Sequence, residues 1–570
     1  MRLFFKANYT LFEVEKGIIS AMILANFPSV NQDDRTTSLL DEQVALVLEQ
    51  ALRIDELTQI VDRKSEVISE QKNRIRLLEE ALRLAKVKRF APSSEQSQQL
   101  SLFDEAEVEA EIDLEAEVPS TDEEAQADAL ESAADEPAKP RQKPGRKPFS
   151  STLPREQIFI TLSDAEKAGA IDTFFTKVRE ELDIIPAQVR ILEYMQEKAV
   201  FMEPLQGEQQ RRITAAPMPK HPVPGAMGSI NLMCFVLIAK YGDGLPLYRQ
   251  ESILARYGGE LSRATLANWV IALARQLQPL IHLLRAHQHA GTLIQADETR
   301  VQVLKELGRV ATSDKYMWVT LGGPPGQPSV LFDYDPSRSQ EVPLRLLDGF
   351  QGYLQTDGYA GYNAACIANN IIQLGCWDHA RRKFKDAQAV QPKAIKGRPH
   401  QSSKADRMLS FINTLYLIER QIKALSADEK YQHRQERSVP VLNKIKAYLE
   451  DNQHKVPKDS LTGKAMTYLG NQWAKLTVYC TNGELSISNI LAENAIRPFV
   501  IGRKAWLFSD TPKGAHASAI HYSLIETAKA NDWEPYDYLN QVLKALPHAD
   551  TVEKIEALLP WNIKKMNSAE

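Results

Sequence analysis

Cysteine is scarce in this 570-residue sequence, and the four residues present, Cys234, Cys366, Cys376 and Cys480, show no paired spacing. This scarcity excludes a disulfide framework and indicates reduced thiols. The sequence also lacks an apolar run near the roughly 18 residues that a membrane-spanning helix needs. The apolar stretch at 17–27 follows acidic residues and precedes no clear cleavage site, so we expect no secretory signal. Together these absences predict a cytoplasmic protein.

A large net charge is absent as well, since 69 basic residues face 74 acidic ones. The balance is uneven along the chain, because residues 104–136 contain 15 acidic residues and no Lys or Arg. The rest of the chain therefore has 59 acidic and 69 basic residues. A basic body of this kind is compatible with a nucleic-acid partner but does not identify one.

Apolar residues recur three and four positions apart between Ile54 and Ala85, with Lys64 and Gln71 as polar interruptions. This heptad pattern indicates a coiled coil and therefore self-association. The alternative is a single amphipathic helix that packs on its own domain. The following residues, 91–150, are first acidic and then basic and proline-rich (KPRQKPGRKP), which is typical of a disordered linker.

A helical hairpin is predicted after this linker, beginning at residue 248. A helix over 248–257 is followed by a glycine pair that supplies a turn, and Ser262 caps a second helix. This order is that of a helix-turn-helix, in which the second helix would enter the major groove and Arg263 and Asn268 would contact bases or phosphates. Helical hairpins that bind no DNA are also common.

Short β-branched or aromatic runs follow and predict strands at 292–296, 300–304, 316–321, 329–334 and 352–355, with a helix over 341–347 before the last. Three or more of these strands are expected to be antiparallel. The order suits a multidomain α/β protein whose core has a ribonuclease-H-like fold. Ligands in such sheets gather at the carboxyl ends of strands.

Two aspartates are placed where strands are predicted to end. Asp297 follows the first strand, and Asp357 follows the strand over 352–355. Carboxylates in such positions can hold two divalent ions about 3.5 to 4 Å apart, which activate an attacking oxygen and stabilise a leaving oxygen at phosphorus. Glu298 would point to the opposite face of its strand and is a weaker candidate.

A third carboxylate is expected from a later helix. Ser488 is predicted to cap a helix that contains Glu493, and Arg497 lies one turn later on the same face. Glu493 would then bind metal while Arg497 meets phosphate, and Arg503 and Lys504 would extend the basic surface. The alternative is a surface salt bridge between Glu493 and Arg497.

Four longer strings make the pattern specific: LIQADETRVQV, YLQTDGYAGYN, GCWDHARRKF and AENAIRPFVIGRKAWLFSDTPKGAHASAIHYSLIETAKANDWEPYDYL. In this order they resemble the transposases of the insertion sequence 66 family, over roughly residues 225–539. The predicted coiled coil and the KRFAPSSE segment after it also resemble the N-terminal region of that family.

This resemblance implies a DNA transposase that cleaves insertion-sequence ends and transfers the strands, with Asp297, Asp357 and Glu493 as catalytic and metal-binding residues. It implies Mg²⁺ or Mn²⁺ as cofactor, DNA ends and target DNA as partners, and accessory transposition proteins. Four residues are placed on a helix near the DNA, namely His379, Arg381, Arg382 and Lys383. The family often has a cysteine-based zinc finger after the linker, but residues 162–204 contain no cysteine, so we expect no zinc.

The resulting division of the chain has a poorly structured N-terminus at 1–38, a coiled coil at 39–90, the linker at 91–150, a mainly helical DNA-binding region at 151–284, a catalytic core at 285–530 with a helical insertion at about 400–480, and a C-terminal helical element at 531–570. Two other functions stay open. One is a metal-dependent nuclease on the same fold, and the other is a catalytically inactive DNA-binding relic.

Overall fold

The computed structural model describes residues 34–90, 157, 175–177, 188–205, 208–391 and 402–564. The predicted linker at 91–150 and most of the N-terminus predicted to be poorly structured lie outside the described residues. A helix long and apolar enough to cross a membrane is absent from the part of the chain that is described.

The described elements are mainly helical. The strands are β1 (Lys198–Leu205), β2 (Glu208–Ala215), β3 (Leu293–Val301), β4 (Lys315–Gly322), β5 (Ser329–Asp335), β6 (Tyr353–Gln355) and β7 (Ile372–Leu374). The α-helices are α1 (Asp34–Phe90), α2 (Ile230–Tyr241), α3 (Leu247–Arg256), α4 (Arg263–His289), α5 (Glu341–Leu346), α6 (Asn363–Ala368), α7 (Trp377–Ala389), α8 (Lys404–Ile422), α9 (Ala427–His433), α10 (Val439–Asn452), α11 (Leu461–Leu476), α12 (Ile490–Trp506), α13 (Pro512–Ala530), α14 (Pro535–Ala545) and α15 (Val552–Glu556).

These elements form two compact units, each assembled from separate stretches of chain. The first, here called the sheet unit, contains α1 and the stretches Ile281–Gln302 and Thr312–Val500. The second unit contains the described residues between 157 and 280, the stretch Val303–Ala311 and residues 501–564.

Helix α1 extends without a break over the region with the heptad pattern. Its apolar seam is exposed, and Ile54 and Leu78 are 64% and 63% accessible. Among the described residues its last turns contact the rest of the sheet unit, where Leu461 N–H donates to Glu80 Oε2 (3.2 Å) and Arg83 donates to the Val390 carbonyl (3.4 Å). The exposed seam does not fit a helix packed along its length on its own domain, and self-association stays a prediction.

The sheet unit is built on a five-stranded mixed sheet in the order β5-β4-β3-β6-β7. Strands β5, β4 and β3 pair antiparallel, whereas β6 and β7 run parallel to β3. The prediction of separate strands at 292–296 and 300–304 was wrong. The first lies in β3 from Leu293 onward, and the second contributes only Arg300 and Val301 to the same strand, because the ladder with β4 continues from Ile294 to Val301 without interruption.

The two faces of this sheet differ in what covers them. Apolar side chains on one face, among them Ile294, Ala296 and Leu354, pack with residues of α5 and α6. On the other face Gln295 and Gln355 meet the segment that leads into α12. A second apolar cluster joins α7, α8, α10 and α11, so helices occupy the region predicted as a helical insertion.

The predicted helical hairpin is present in the second unit. Helix α3 and helix α4 are joined by a turn in which Gly258 has a φ of +83°, a conformation that favours glycine. Thr265 N–H donates to the Ser262 hydroxyl (3.2 Å), which confirms Ser262 as the cap. Trp269 is buried, while Arg263 and Asn268 are exposed near the start of α4.

Candidate functional site

Asp297 and Asp357 are brought into the same register by parallel pairing of β3 and β6. The last pair of this ladder is Gln295 with Gln355, and each aspartate lies two residues beyond its glutamine. The prediction that Asp297 follows a strand end was wrong, since Asp297 lies inside β3 and pairs with Val319 of β4. Asp297 nevertheless lies just beyond the end of the parallel ladder between β3 and β6.

The two glutamines form a buried link beneath the aspartates. Gln295 Nε2 donates to Gln355 Oε1 (2.7 Å), and both side chains are almost fully inaccessible. Gln355 also donates to the carbonyls of Gly375 (3.2 Å) and Ser486 (2.8 Å). Because buried amides are costly to leave without partners, these bonds fix the two strands against the chain before α12. The sequence holds a signal for this link, the repeated pattern Gln-x-Asp in QAD and QTD.

Glu493 lies in the first turn of α12, which is tied to the strand that carries Asp297. Ala492 N–H donates to Gln295 Oε1 (3.3 Å), and Asn489 Nδ2 donates to the Ala296 carbonyl (3.0 Å). The prediction that Ser488 caps this helix was wrong. The helix begins at Ile490, Glu493 N–H donates to the Asn489 carbonyl, and the Ser488 hydroxyl has no hydrogen-bond partner among the described residues.

The three carboxylates interact electrostatically. Burial, together with the charges of Glu298, Glu493 and Asp357, raises the pKa of Asp297 to about 7, although a hydrogen bond from Glu298 N–H partly offsets these effects. Glu493 Oε1 is buried and has no hydrogen-bond partner among the described residues. Crowded carboxylates with a free oxygen are the donor set that a hard divalent cation stabilises, so these residues fit such an ion.

Glu493 has two neighbours on α7 that the sequence did not predict as its partners. Arg382 of α7 forms an ion pair with it, and His379 Nδ1 lies 3.6 Å from Glu493 Oε1. Arg497, the partner in the alternative salt bridge, is half-buried, and among the described residues the ion pairs of Glu493 are those with Arg382 and His379. Helices α7 and α12 are separated by about a hundred residues of sequence, and no local pattern in the sequence indicates that they are in contact.

Cys376, His379 and Glu493 present ligand atoms within 4.8 Å of one another. Cys376 is fully buried and accepts the Asn489 N–H (3.3 Å), and burial raises the pKa of its thiol far above the ordinary range. A structural zinc site has four protein ligands, and only these three converge here among the described residues, so we propose no zinc site.

The remaining residues predicted to bind DNA differ in accessibility. Arg381 is buried and donates to Asn413 Oδ1 (3.0 Å), which argues against a phosphate contact. Arg382 and Lys383 are exposed on α7, and the Lys383 ammonium lies 4.7 Å from the centre of the Tyr468 ring. Arg503 and Lys504 belong to the part of α12 in the second unit, where Lys504 is exposed.

Asp297→Asn is expected to stabilise the metal-free protein at about pH 8 and to stabilise it less at about pH 5. The folded-state pKa of Asp297 is raised above the unfolded value, so stability falls as pH rises from about 4 to about 7 and stays lower above that. Asparagine cannot ionise but can still accept the Glu298 N–H. A gain of about 1–3 kcal/mol at the higher pH is expected.

Calorimetric melting of both proteins in a chelator at the two pH values measures this effect. Exposed Asp348 provides a control, since Asp348→Asn should give a smaller difference between the two pH values than Asp297→Asn. Equal melting temperatures for wild type and Asp297→Asn at the higher pH would contradict the electrostatic crowding described above.

Comparison with known proteins identifies related sequences. A family model described as "Transposase IS66 family" matches residues 225–517, a range that includes all three carboxylates. A model for the "IS66 C-terminal element" matches residues 523–561, and one described as "Transposase C of IS166 homeodomain" matches residues 77–158. Two uncharacterized proteins of Sinorhizobium fredii are also similar. Protein y4qI is 30% identical over 430 residues, or 73% of this chain and 77% of the relative, and y4jD is 30% identical over 427 residues, or 72% and 81%.

Proposed function

The chain belongs to the IS66 family of transposases, and on that premise we propose that it cuts DNA at the ends of an insertion sequence and joins those ends to target DNA with Asp297, Asp357 and Glu493. One observation supports the choice of residues above all. Both aspartates stand two residues beyond a hydrogen-bonded glutamine pair, and the same pair contacts the first turn of the helix that contains Glu493.

The proposed reaction is a pair of in-line phosphoryl transfers. Water first attacks phosphorus at an element end and releases a 3′-hydroxyl, which then attacks a phosphorus of the target. A bound Mg²⁺ or Mn²⁺ supplies activation of the attacking oxygen and stabilisation of the leaving oxygen. Asp297, Asp357 and Glu493 would hold that ion through their carboxylate oxygens.

The basic side chains beside Glu493 would orient the DNA backbone. The side chain of Arg382 is 45% exposed and pairs with Glu493. A phosphate oxygen could therefore replace the carboxylate as its partner. Lys383 next to it is exposed and would add a second positive charge. We keep Arg263, Asn268, Arg497, Arg503, Lys504 and His379 as proposed DNA contacts, and we leave out Arg381.

We further propose a ribonuclease-H-like core at 285–530, interrupted by the helical insertion. The strand order, with β5, β4 and β3 antiparallel and β6 and β7 parallel to β3, supports this assignment. We propose that residues 151–284 bind DNA and that residues 531–570 form a C-terminal element. The exposed seam of α1 supports assembly of chains as a coiled coil, and accessory transposition proteins would complete the machinery.

The test is an assay of the full chain with DNA that contains the ends of its own element, target DNA, Mg²⁺ and the accessory proteins. Nicked ends together with end-to-target joined products are expected, and both should disappear in a chelator. Nicks without joined products would instead favour a metal-dependent nuclease. Specific binding of the ends without any metal-dependent product would favour a catalytically inactive relic.

A further inference from the structure

Glu298 is a buried carboxylate directly next to Asp297, and its side chain is only 3% accessible. Its oxygens have three hydrogen bonds. Arg338 donates to Oε1 through Nε (2.9 Å) and Nη2 (2.5 Å), and the Tyr362 hydroxyl donates to Oε2 (2.9 Å). A buried charge with this many partners is held in one place, so Glu298 anchors Arg338 to strand β3.

Arg338 is held from a second side by Tyr359. The guanidinium lies over the Tyr359 ring at 3.9 Å from its centre, and the Tyr359 hydroxyl donates to the Arg338 carbonyl (2.7 Å). Gly361 leaves room for this ring, since a Cβ at that position would come within 2.3 Å of it. The arginine is therefore stacked on one side and paired on the other, an arrangement that lysine does not reproduce.

Tyr359 in turn connects to the second aspartate, because its N–H donates to Asp357 Oδ1 (2.8 Å). On the other side Glu298 N–H donates to Asp297 Oδ1 (2.8 Å). The ladder between β3 and β6 stops at Gln295 and Gln355, so it does not reach the aspartates. Glu298, Arg338 and Tyr359, here called the arginine clamp, provide a continuous connection past that point.

We propose that Arg338 is a positioning residue that, through the arginine clamp, sets the separation and orientation of Asp297 and Asp357 for divalent-metal binding. The inference rests on the proposed function, because it assumes that the two aspartates bind metal. Groups that orient ligands without touching the metal commonly change metal affinity by about 10–100-fold. Mg²⁺ is particularly demanding, since it accepts little deviation from octahedral geometry.

The test is a calorimetric titration of Mg²⁺ into the full chain without DNA, with melting temperature measured in parallel. Arg338→Gln is expected to weaken Mg²⁺ binding by about 10–100-fold, and Arg338→Lys by about tenfold, because lysine keeps the charge but loses the paired and stacked geometry. Arg345→Gln is the matched control. Arg345 also pairs with a carboxylate, Asp335 (3.1 Å), but is exposed and outside the clamp, so its replacement should leave affinity unchanged.

A double variant separates positioning from folding. Arg338→Gln alone leaves Glu298 buried without its partner, so it also lowers the melting temperature, and Glu298→Gln combined with Arg338→Gln removes that charge. Recovered melting temperature with Mg²⁺ binding still weak supports positioning. Recovery of both, or Mg²⁺ affinity within twofold of wild type in Arg338→Gln, would overturn it. If the wild-type protein forms no joined DNA products, the proposed function is refuted. That result comes from the DNA assay, whereas the positioning role of Arg338 is tested by Mg²⁺ calorimetry.

Discussion

Asp357→Ala is expected to lower metal-dependent nicking and joining of element-end DNA by about 10³-fold or more, while binding of those ends persists. The reason is the shared register described above, which places Asp357 and Asp297 at matching positions beyond the glutamine pair, where their charges interact. Removing one oxygen donor from such a site weakens binding of the hard cation. It therefore also weakens the charge stabilisation that the cation supplies.

Two further variants make this result specific. Asp357→Asn keeps the size and can still accept the Tyr359 N–H, so equal inactivity of Asn and Ala would assign the effect to the charge and not to the loop. Asp348→Ala is the matched control, because Asp348 also precedes a glycine of positive φ, +77° at Gly349 against +94° at Gly358, and is exposed. Wild-type product levels in Asp357→Ala would exclude this residue from catalysis.

Much of the sheet could be predicted from the sequence because its signals are local. Strands β4, β5 and β6 lie where alternating and β-branched runs predicted them, and α8 and α10 lie in the region predicted as a helical insertion. The end of β3 could not be predicted in this way. Its last residues are held by pairing with β4. The local sequence of β3 does not indicate which strand it pairs with or how far that pairing extends.

The partners of the site residues were harder to predict than the residues themselves. Asp297, Asp357 and Glu493 stand in recognisable strings, but helical spacing offered Arg497 as the only alternative ion-pair partner of Glu493, whereas the structure pairs it with Arg382. The contact depends on how α7 and α12 pack, and packing joins residues that are far apart in sequence. The same holds for Arg338, which no motif singled out and which connects to Glu298 across a separation of 40 residues.

Arg434→Ala is expected to destabilise the sheet unit by about 3–5 kcal/mol. Arg434 is 2% accessible and pairs with Glu419 of α8 through two hydrogen bonds (2.9 and 2.6 Å). It also donates to the carbonyls of Tyr479, Asn482 and Leu485 at 2.8, 2.8 and 2.9 Å. One side chain therefore satisfies a buried carboxylate and three backbone groups of the segment that precedes α12. Alanine would leave all four without that donor.

Calorimetry and hydrogen exchange of residues 477–489 in the full chain measure the loss, with the exchange showing whether this segment opens first. Arg437→Ala is the matched control, since Arg437 is on the same turn but exposed, and its change should stay within about 0.5 kcal/mol. Combining Arg434→Met with Glu419→Leu should be less destabilising than Arg434→Ala, because no buried charge is left unpaired. If Arg434→Ala melts like Arg437→Ala, the buried pair does not stabilise this segment, and the position of Glu493 must depend on the glutamine pair and on Asn489 instead.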